Sequence, residues 1–99
     1  MRNKKIKYKV FNNKNINYAE MYGSRGWKMI RAKYFAEHPL CEDCLEKGII
    51  TPATDVHHVV PFSTGVNKNE QIKLLLDDNN LRSLCKKCHM KHHSQFAHK

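Results

Sequence analysis

The chain has 99 residues, enough for one small domain whose apolar core alone would be only marginally stable. Its 18 Lys and Arg residues against nine Asp and Glu give a net charge of +9 at pH 7, which favours a polyanionic partner such as nucleic acid. No apolar run is long enough to cross a membrane, and the N-terminus lacks the apolar stretch of a signal peptide, so we expect a cytoplasmic protein.

The net charge is concentrated at the N-terminal end. Residues 1–34 contain ten Lys or Arg and one Glu, whereas residues 35–99 contain eight residues of each sign. Residues 1–21 are polar and weakly periodic, which predicts a basic, flexible arm before a domain over residues 22–99. On charge alone, the arm is either an electrostatic contact for a polyanion or a solvated tail that aids solubility.

The first predicted helix runs from about Gly26 to Glu37. Apolar side chains recur along one face of this helix at helical spacing: Trp27, Ile30, Tyr34 and Phe35. Ser24 is a suitable N-cap, and Pro39 should end the helix because the residue before a proline avoids helical geometry. We interpret the aromatic side chains as core residues rather than as base-stacking residues.

Beyond a turn at Gly48, the chain is predicted to form two strands and a last helix. The segment ATDVHHVV is rich in β-branched residues, and Pro61 closes it. The predicted elements are, in chain order, a strand over 53–60, a connection over 62–80 with a short helix near 70–76, a return strand over 81–84 and a helix over 86–96. Strand, loop, strand and helix around a metal, after an N-terminal helix, give a small α+β fold.

Four cysteines form two pairs with the spacing Cys-x2-Cys: Cys41, Cys44, Cys85 and Cys88. Two such pairs supply the four thiolates of a tetrahedral zinc site, which a reducing cytoplasm favours over disulfides. We predict one structural zinc ion, because a shell of four thiolates leaves no open position for water. The forty residues between the pairs would become a closed loop, which constrains the unfolded chain.

Two adjacent histidines, His57 and His58, lie on the predicted first strand. Neighbouring side chains on a strand point to opposite faces, so the two imidazoles are expected to have different tasks, one on a metal and one on the substrate. Asp55 shares the face of His57 and is either a partner of that site or a solvated group.

The last helix carries a second histidine cluster. His89 and His93 are four residues apart and share one helix face, the spacing of helical two-histidine metal sites. We predict a catalytic metal site held by His57, His89 and His93, with waters in the open positions. His92, three residues from His89, stays an alternative to His93.

Several segments of the chain resemble the HNH (ββα-metal) endonuclease family. The central resemblance is the run VHHVVP at 56–61 followed by NLRSLCKKCH at 80–89. Further segments are similar to the lead-in helix of the small phage-type members with two CxxC zinc knuckles: YGSRGW at 22–27, Arg31 and HPLC at 38–41. The resemblance implies a treble-clef-like ββα-metal fold and metal-dependent hydrolysis of phosphodiester bonds in DNA, by nicking or by double-strand cleavage.

The resemblance also implies roles for single residues. His58 matches the general base, Asn80 the middle asparagine that would orient the base, and His89 the final histidine. His57 stands where many members have an aspartate ligand, and together with His89 and His93 it is similar to the three histidines of colicin-type nucleases. A second, catalytic divalent metal is therefore implied, and its identity stays open among Mg²⁺, Mn²⁺, Ni²⁺, Co²⁺ and Zn²⁺. Neutral imidazoles suit the last four better than magnesium.

DNA is the expected partner. Basic side chains beside the predicted site and on the first helix are expected to contact phosphates without reading sequence: Arg25, Lys28, Arg31, Lys86, Lys87 and Lys91. Phage-type members often lie beside packaging genes, so the resemblance implies a phage or prophage source, action in the bacterial cytoplasm, and terminase subunits as further partners.

Two other interpretations stay open. The alternative is a non-catalytic zinc-ribbon DNA-binding module, for which the four cysteines and the basic arm suffice. A third is a protein-interaction adaptor in which zinc holds a surface. The combination of His57, His58, Asn80 and His89 favours the endonuclease, because neither a binder nor an adaptor needs it.

Overall fold

The computed structural model describes residues 16–97 of the chain, with side chains for residues 16–93. Its helices are α1 (Tyr18–Gly23), α2 (Arg25–Glu37), α3 (Glu42–Glu46), α4 (Lys68–Leu76) and α5 (Lys86–Ala97), and its strands are β1 (Asp55–His58) and β2 (Leu81–Leu84). Short 3-10 turns, at Phe62–Thr64 and Asp78–Asn80, precede and follow α4. The predicted α+β class and the order strand, loop, strand, helix are confirmed. No helix in this part of the chain combines the length and the apolar character needed to span a membrane.

The apolar core lies between the first two helices, α4 and the sheet. Its buried members are Met21, Trp27, Tyr34, Phe62, Leu75 and Leu81. The predicted stripe of α2 is confirmed for Trp27, Ile30 and Tyr34, whereas Phe35 is only half-buried and lies outside this core. Ser24 is the predicted N-cap, since its hydroxyl accepts a hydrogen bond from the amide of Trp27.

The helix α1 begins inside the segment that the sequence predicts as an arm. Asn17 caps it by accepting a hydrogen bond from the amide of Glu20, at 3.0 Å. Met21 is buried in the core, so this end of the segment packs against residues of the predicted domain. The polar composition of the segment hides this single buried side chain from sequence analysis. Residues 1–15 of the predicted arm lie outside the described residues.

The two strands pair antiparallel, and their register places the histidines. His57 lies opposite Arg82 and His58 opposite Leu81. The strand β1 is shorter than the predicted 53–60 at both ends. The amide of Ala53 donates to the carbonyl of Pro39, and the amide of Val60 donates to the side chain of Asn80, so neither amide bonds to the backbone of β2.

The first cysteine pair lies at the start of a short helix that the sequence did not predict. Cys41 is the N-cap of α3, and its sulfur accepts a hydrogen bond from the amide of Cys44. The predicted turn at Gly48 is confirmed, and its positive φ of 77° is one that glycine adopts without strain. The chain then returns antiparallel to its start, since the amide of Cys41 donates to the carbonyl of Thr51 at 2.7 Å.

Candidate metal centres and active site

Three histidines from β1 and α5 lie together at the end of the sheet. The ligand nitrogens of His57, His89 and His93 are within 4.8 Å of one another. The Nε2 atoms of His89 and His93 are 3.1 Å apart. Metal–nitrogen bonds of about 2.1 Å separate neighbouring donor nitrogens by roughly 3.0–3.4 Å. The geometry of these three imidazoles therefore fits a single divalent ion.

Asp55 fixes the proton position on His89. The Nδ1 atom of His89 is 2.7 Å from Oδ2 of Asp55. Burial alone would raise the pKa of Asp55, but hydrogen bonds from His89 and Thr54 and the positive charge of Lys86 lower it. An ionised carboxylate only accepts hydrogen bonds, so Nδ1 of His89 carries the proton and Nε2 keeps its lone pair for a metal. Of the two predicted possibilities for Asp55, the contact favours a partner of the site.

His57 is buried, and its surroundings keep it neutral. Burial, together with the positive charges of the neighbouring histidines, lowers its pKa to about 4. A neutral imidazole is the form that binds a metal ion.

The neighbouring His92 is engaged by a different partner. Its Nε2 lies 2.8 Å from Oδ2 of Asp43 in α3, and the group of converging ligand atoms contains His93 instead. Asp43 also accepts a hydrogen bond from Nε of Arg82, at 2.6 Å. Arg82 makes a second contact of 2.6 Å with Glu46. The contact with Asp43 therefore distinguishes His92 from His93, which the sequence could not do.

His58 occupies the opposite face of β1, as predicted. Its ring packs against Trp27, with centroids 4.7 Å apart, and its Nε2 lies 3.0 Å from the carbonyl oxygen of Leu75. A carbonyl only accepts, so Nε2 carries a proton, and in the neutral imidazole Nδ1 has the lone pair. Burial lowers the pKa of His58, and the hydrogen bond to Leu75 offsets this only in part. A neutral His58 can accept a proton at Nδ1.

Asn80 does not enter the histidine cluster but holds the segments around His58. Its buried side chain accepts a hydrogen bond from the amide of Val60 at 2.8 Å and donates to the carbonyls of Val60 and Leu74. These contacts join the end of β1 to the last turn of α4. The adjacent residue of that turn, Leu75, holds the ring of His58.

The four cysteine sulfurs converge on the other side of α5. They lie within 4.8 Å of one another, and Sγ of Cys44 is 3.8 Å from Sγ of Cys88. A tetrahedron of metal–sulfur bonds of about 2.3 Å separates its sulfurs by roughly 3.8 Å. All four thiols are free of disulfides, and Cys41 is fully buried. The donor set and spacing fit one tetrahedrally held ion.

The pKa values of the thiols show how strongly these crowded groups act on one another. Burial raises the pKa of Cys41, but hydrogen bonds from the backbone of Cys85 and Cys44 outweigh it and bring the pKa to about 7. Burial beside the other thiols raises the pKa of Cys88 to about 12. Four thiolates this close repel one another unless a cation lies among them.

All six of the predicted phosphate-contacting residues have exposed side chains: Arg25, Lys28, Arg31, Lys86, Lys87 and Lys91. Lys86 lies beside the histidine cluster, since its Nζ is 3.4 Å from Oδ1 of Asp55. The first three residues belong to α2 and the last three to α5. The predicted basic residues therefore occupy two separate helices.

A cleft of about 350 Å³ lies beside the three-histidine cluster. It is lined by His57, His58, His89 and His93, and also by Tyr18, Tyr22 and Phe62. The sequence did not single out Tyr18 or Tyr22 for the site. Their i, i+4 spacing was the available signal, and the polar composition of residues 1–20 obscured it.

Comparison with known proteins agrees with this geometry. A sequence profile described as HNH endonuclease matches residues 41–95, more than half of the chain, including both cysteine pairs and all histidines of the cluster. The chain belongs to the HNH endonuclease family. The predicted family, fold and nuclease activity are thereby confirmed, and the family implies DNA as the substrate.

A solved structure is similar to this HNH endonuclease over nearly its whole length. It is the HNH endonuclease of the deep-sea thermophilic bacteriophage GVE2, crystallised with a manganese ion. The two chains are 29% identical, with a TM-score of 0.70, over 99% of this chain and 97% of that one. No curated protein matches the chain significantly.

Proposed function

We propose that this HNH endonuclease hydrolyses phosphodiester bonds in DNA with His58 as general base and a divalent ion held by His57, His89 and His93. The observation that carries the proposal is the shared cleft. His58 reaches it from one face of β1, and the three-histidine cluster reaches it from the other. A base and a metal site beside one cleft are the two components that metal-assisted hydrolysis requires.

Each side chain of the proposed site has a distinct role in the reaction. His58 takes the proton from the attacking water at Nδ1, because Nε2 is already bonded to Leu75. Asn80 holds the backbone on both sides of this imidazole. A divalent ion between the three histidines would supply positive charge that offsets the negative charge developing on the phosphate and on the leaving oxygen. Asp55 keeps Nε2 of His89 free for that ion.

For the metals, the donor chemistry supports a structural zinc ion among the four cysteines and a different divalent ion among the histidines. The GVE2 relative, crystallised with manganese, supports Mn²⁺ as the first ion to assay. Exposed basic residues of α2 and α5, together with the basic residues of 1–15, are proposed to contact DNA phosphates. We further propose a role in phage genome processing with terminase subunits in the bacterial cytoplasm. The bacteriophage origin of the GVE2 relative supports only the phage part of this proposal.

The test of the proposed general base is plasmid nicking by the His58→Ala variant with added Mn²⁺. We expect nicking to fall by about two to four orders of magnitude, the range that loss of a general base costs. DNA affinity and zinc content should stay near those of the wild type. Because His58 packs against Trp27, His58→Gln is the matched variant: it fills the space and can donate to Leu75 but cannot act as the base.

The same assays on His57→Ala and His58→Ala can also show that the roles of the two histidines are exchanged. If His57→Ala abolished nicking with metal binding intact while His58→Ala lost the metal, the two roles would be exchanged. If neither variant changed nicking, neither histidine would be needed for cleavage, and the mechanism proposed here would be wrong.

A further inference from the structure

Two exposed tyrosines form one wall of the cleft. Tyr18 and Tyr22 lie four residues apart in α1 and therefore on the same helix face. Both line the cleft that contains His58 and the three-histidine cluster. Their exposed fractions are 42% and 46%, whereas Met21 between them is 5% exposed. The core therefore uses Met21 and leaves both tyrosine rings partly exposed at the cleft.

The core holds both rings in place. Tyr18 and Tyr22 pack against the buried ring of Phe62, with centroids 5.7 and 5.3 Å away. Tyr22 also contacts Trp27 edge-on, at 5.9 Å. A ring that is already ordered loses little conformational entropy when it binds a ligand. We call Tyr18 and Tyr22 the aromatic wall.

The part of a DNA substrate that can bind the aromatic wall can be inferred from the geometry of DNA. Bases in a duplex are stacked, so their faces are covered and only their edges are accessible from the grooves. Unpaired bases expose a face on which an aromatic side chain can stack, and such stacking tolerates any sequence. The wall adjoins the cleft that receives the scissile phosphate in the proposed function, and the bases next to that phosphate lie within reach of such a wall.

We propose that the aromatic wall stacks on unpaired bases flanking the scissile phosphate, so that the preferred substrate is single-stranded or locally open DNA. The inference rests on the proposed function, because it takes the cleft as the place of cleavage. Exposed basic residues on α2, Arg25 and Lys28, follow the wall directly in the chain and supply attraction for the backbone of the same strand. The wall sets substrate preference and takes no part in proton transfer.

The first experiment measures binding, without added catalytic metal, to a fluorescent 12-nucleotide single strand and to a hairpin whose paired stem contains the same sequence and whose loop is a non-nucleotide linker without bases. Tyr22→Leu and Tyr18→Leu should each weaken binding to the single strand about tenfold, as expected for the loss of one base–aromatic stack. Binding to the hairpin should change less than twofold. Tyr22→Phe keeps the ring and should remain within twofold of the wild type on both.

Two controls separate this effect from general damage. Ile50 is 70% exposed, belongs to the loop after α3 and does not line the cleft, so Ile50→Ala should change neither affinity. Tyr22 packs on Trp27 and Phe62, so thermal unfolding of each variant is measured. Tyr18→Leu provides the second test if Tyr22→Leu does not fold, because the ring of Tyr18 packs on Phe62 without reaching Trp27.

The second experiment measures cleavage of the same single strand with added Mn²⁺. Tyr18→Leu should raise KM about tenfold and leave kcat unchanged, since the wall binds bases and does not act on the phosphate. Tyr22→Leu should raise KM by a similar factor, but its kcat is no test of the proposal, because the ring of Tyr22 lies 6.4 Å from that of His58. Equal losses on single strand and hairpin, or no loss on the single strand, would overturn the proposal. If the wild type cleaved no DNA at all, the proposed function would fail, while the binding experiment would still decide whether the wall contacts unpaired bases.

Discussion

The cysteine cluster and the histidine cluster are built on the same helix but differ in donor number and access. The four sulfurs of the first lie within 4.8 Å of one another, with Cys41 and Cys88 buried. The second offers three nitrogens, one of them from the exposed His93, and it lines a cleft. Four protein donors complete a tetrahedral shell, whereas three leave room for water or substrate. The difference favours a structural role for the first cluster and a catalytic role for the second.

The backbone connects the two clusters closely. Cys85 lies between β2 and α5, and its carbonyl accepts a hydrogen bond from the amide of His89. In α5 itself, Cys88 directly precedes His89, and His93 follows one turn later. An ion that fixes the cysteines would also fix the position from which His89 and His93 extend.

The largest effect should come from the cysteine cluster. Cys88→Ser removes a buried sulfur ligand, and we expect loss of bound zinc and unfolding of the C-terminal half, measured by metal analysis and circular dichroism. Nicking would be lost as a consequence of unfolding. A folded Cys88→Ser protein without zinc would show that the cluster does not stabilise the fold.

His89→Ala should have a large effect of a different kind. Removing one of three nitrogens should weaken binding of the added divalent ion and lower nicking by orders of magnitude at low metal concentration, and excess Mn²⁺ should restore part of it. Zinc content and the circular dichroism spectrum should match those of the wild type. Unfolding of this variant would mean that the histidine cluster is structural, and the contrast with the cysteines would disappear.

Asp55→Asn should have an intermediate effect. The variant keeps an oxygen near Nδ1 of His89 but removes the charge that fixes its proton there. Loss of such a partner typically costs about 10- to 100-fold in metal affinity or activity. Calorimetric titration with Mn²⁺ measures the affinity. An unchanged affinity would mean that Asp55 serves only its contact with Lys86, which lies 3.4 Å away.

His92→Ala should have the smallest effect on the metal, with His93→Ala as its matched comparison. His92 contacts Asp43, whereas the nitrogen of His93 converges with those of His57 and His89. We expect His92→Ala to change the affinity for Mn²⁺ less than threefold and His93→Ala to weaken it more than tenfold. The reverse order would assign His92 as the third ligand.

Much of the fold and of the candidate site was predictable because it depends on local spacing. The Cys-x2-Cys pairs, the i, i+4 pair His89 and His93, and the opposite faces of His57 and His58 all follow from the geometry of a turn, a helix and a strand. The boundaries were less accurate. The polar segment before Tyr22 hid the helix α1, and the strand predicted over 53–60 covers only Asp55–His58.

The sequence by itself determined the number and kind of donors in each cluster and the order of elements that carries them. Only the tertiary structure decided their partners: Asp55 for His89, Asp43 for His92, the carbonyl of Leu75 for His58, and the cleft for the two tyrosines. The physical reason is that the residues of these contacts lie far apart in the sequence. Asp43 and His92 are 49 residues apart, and a contact over that distance forms only after the helices and strands between them have packed.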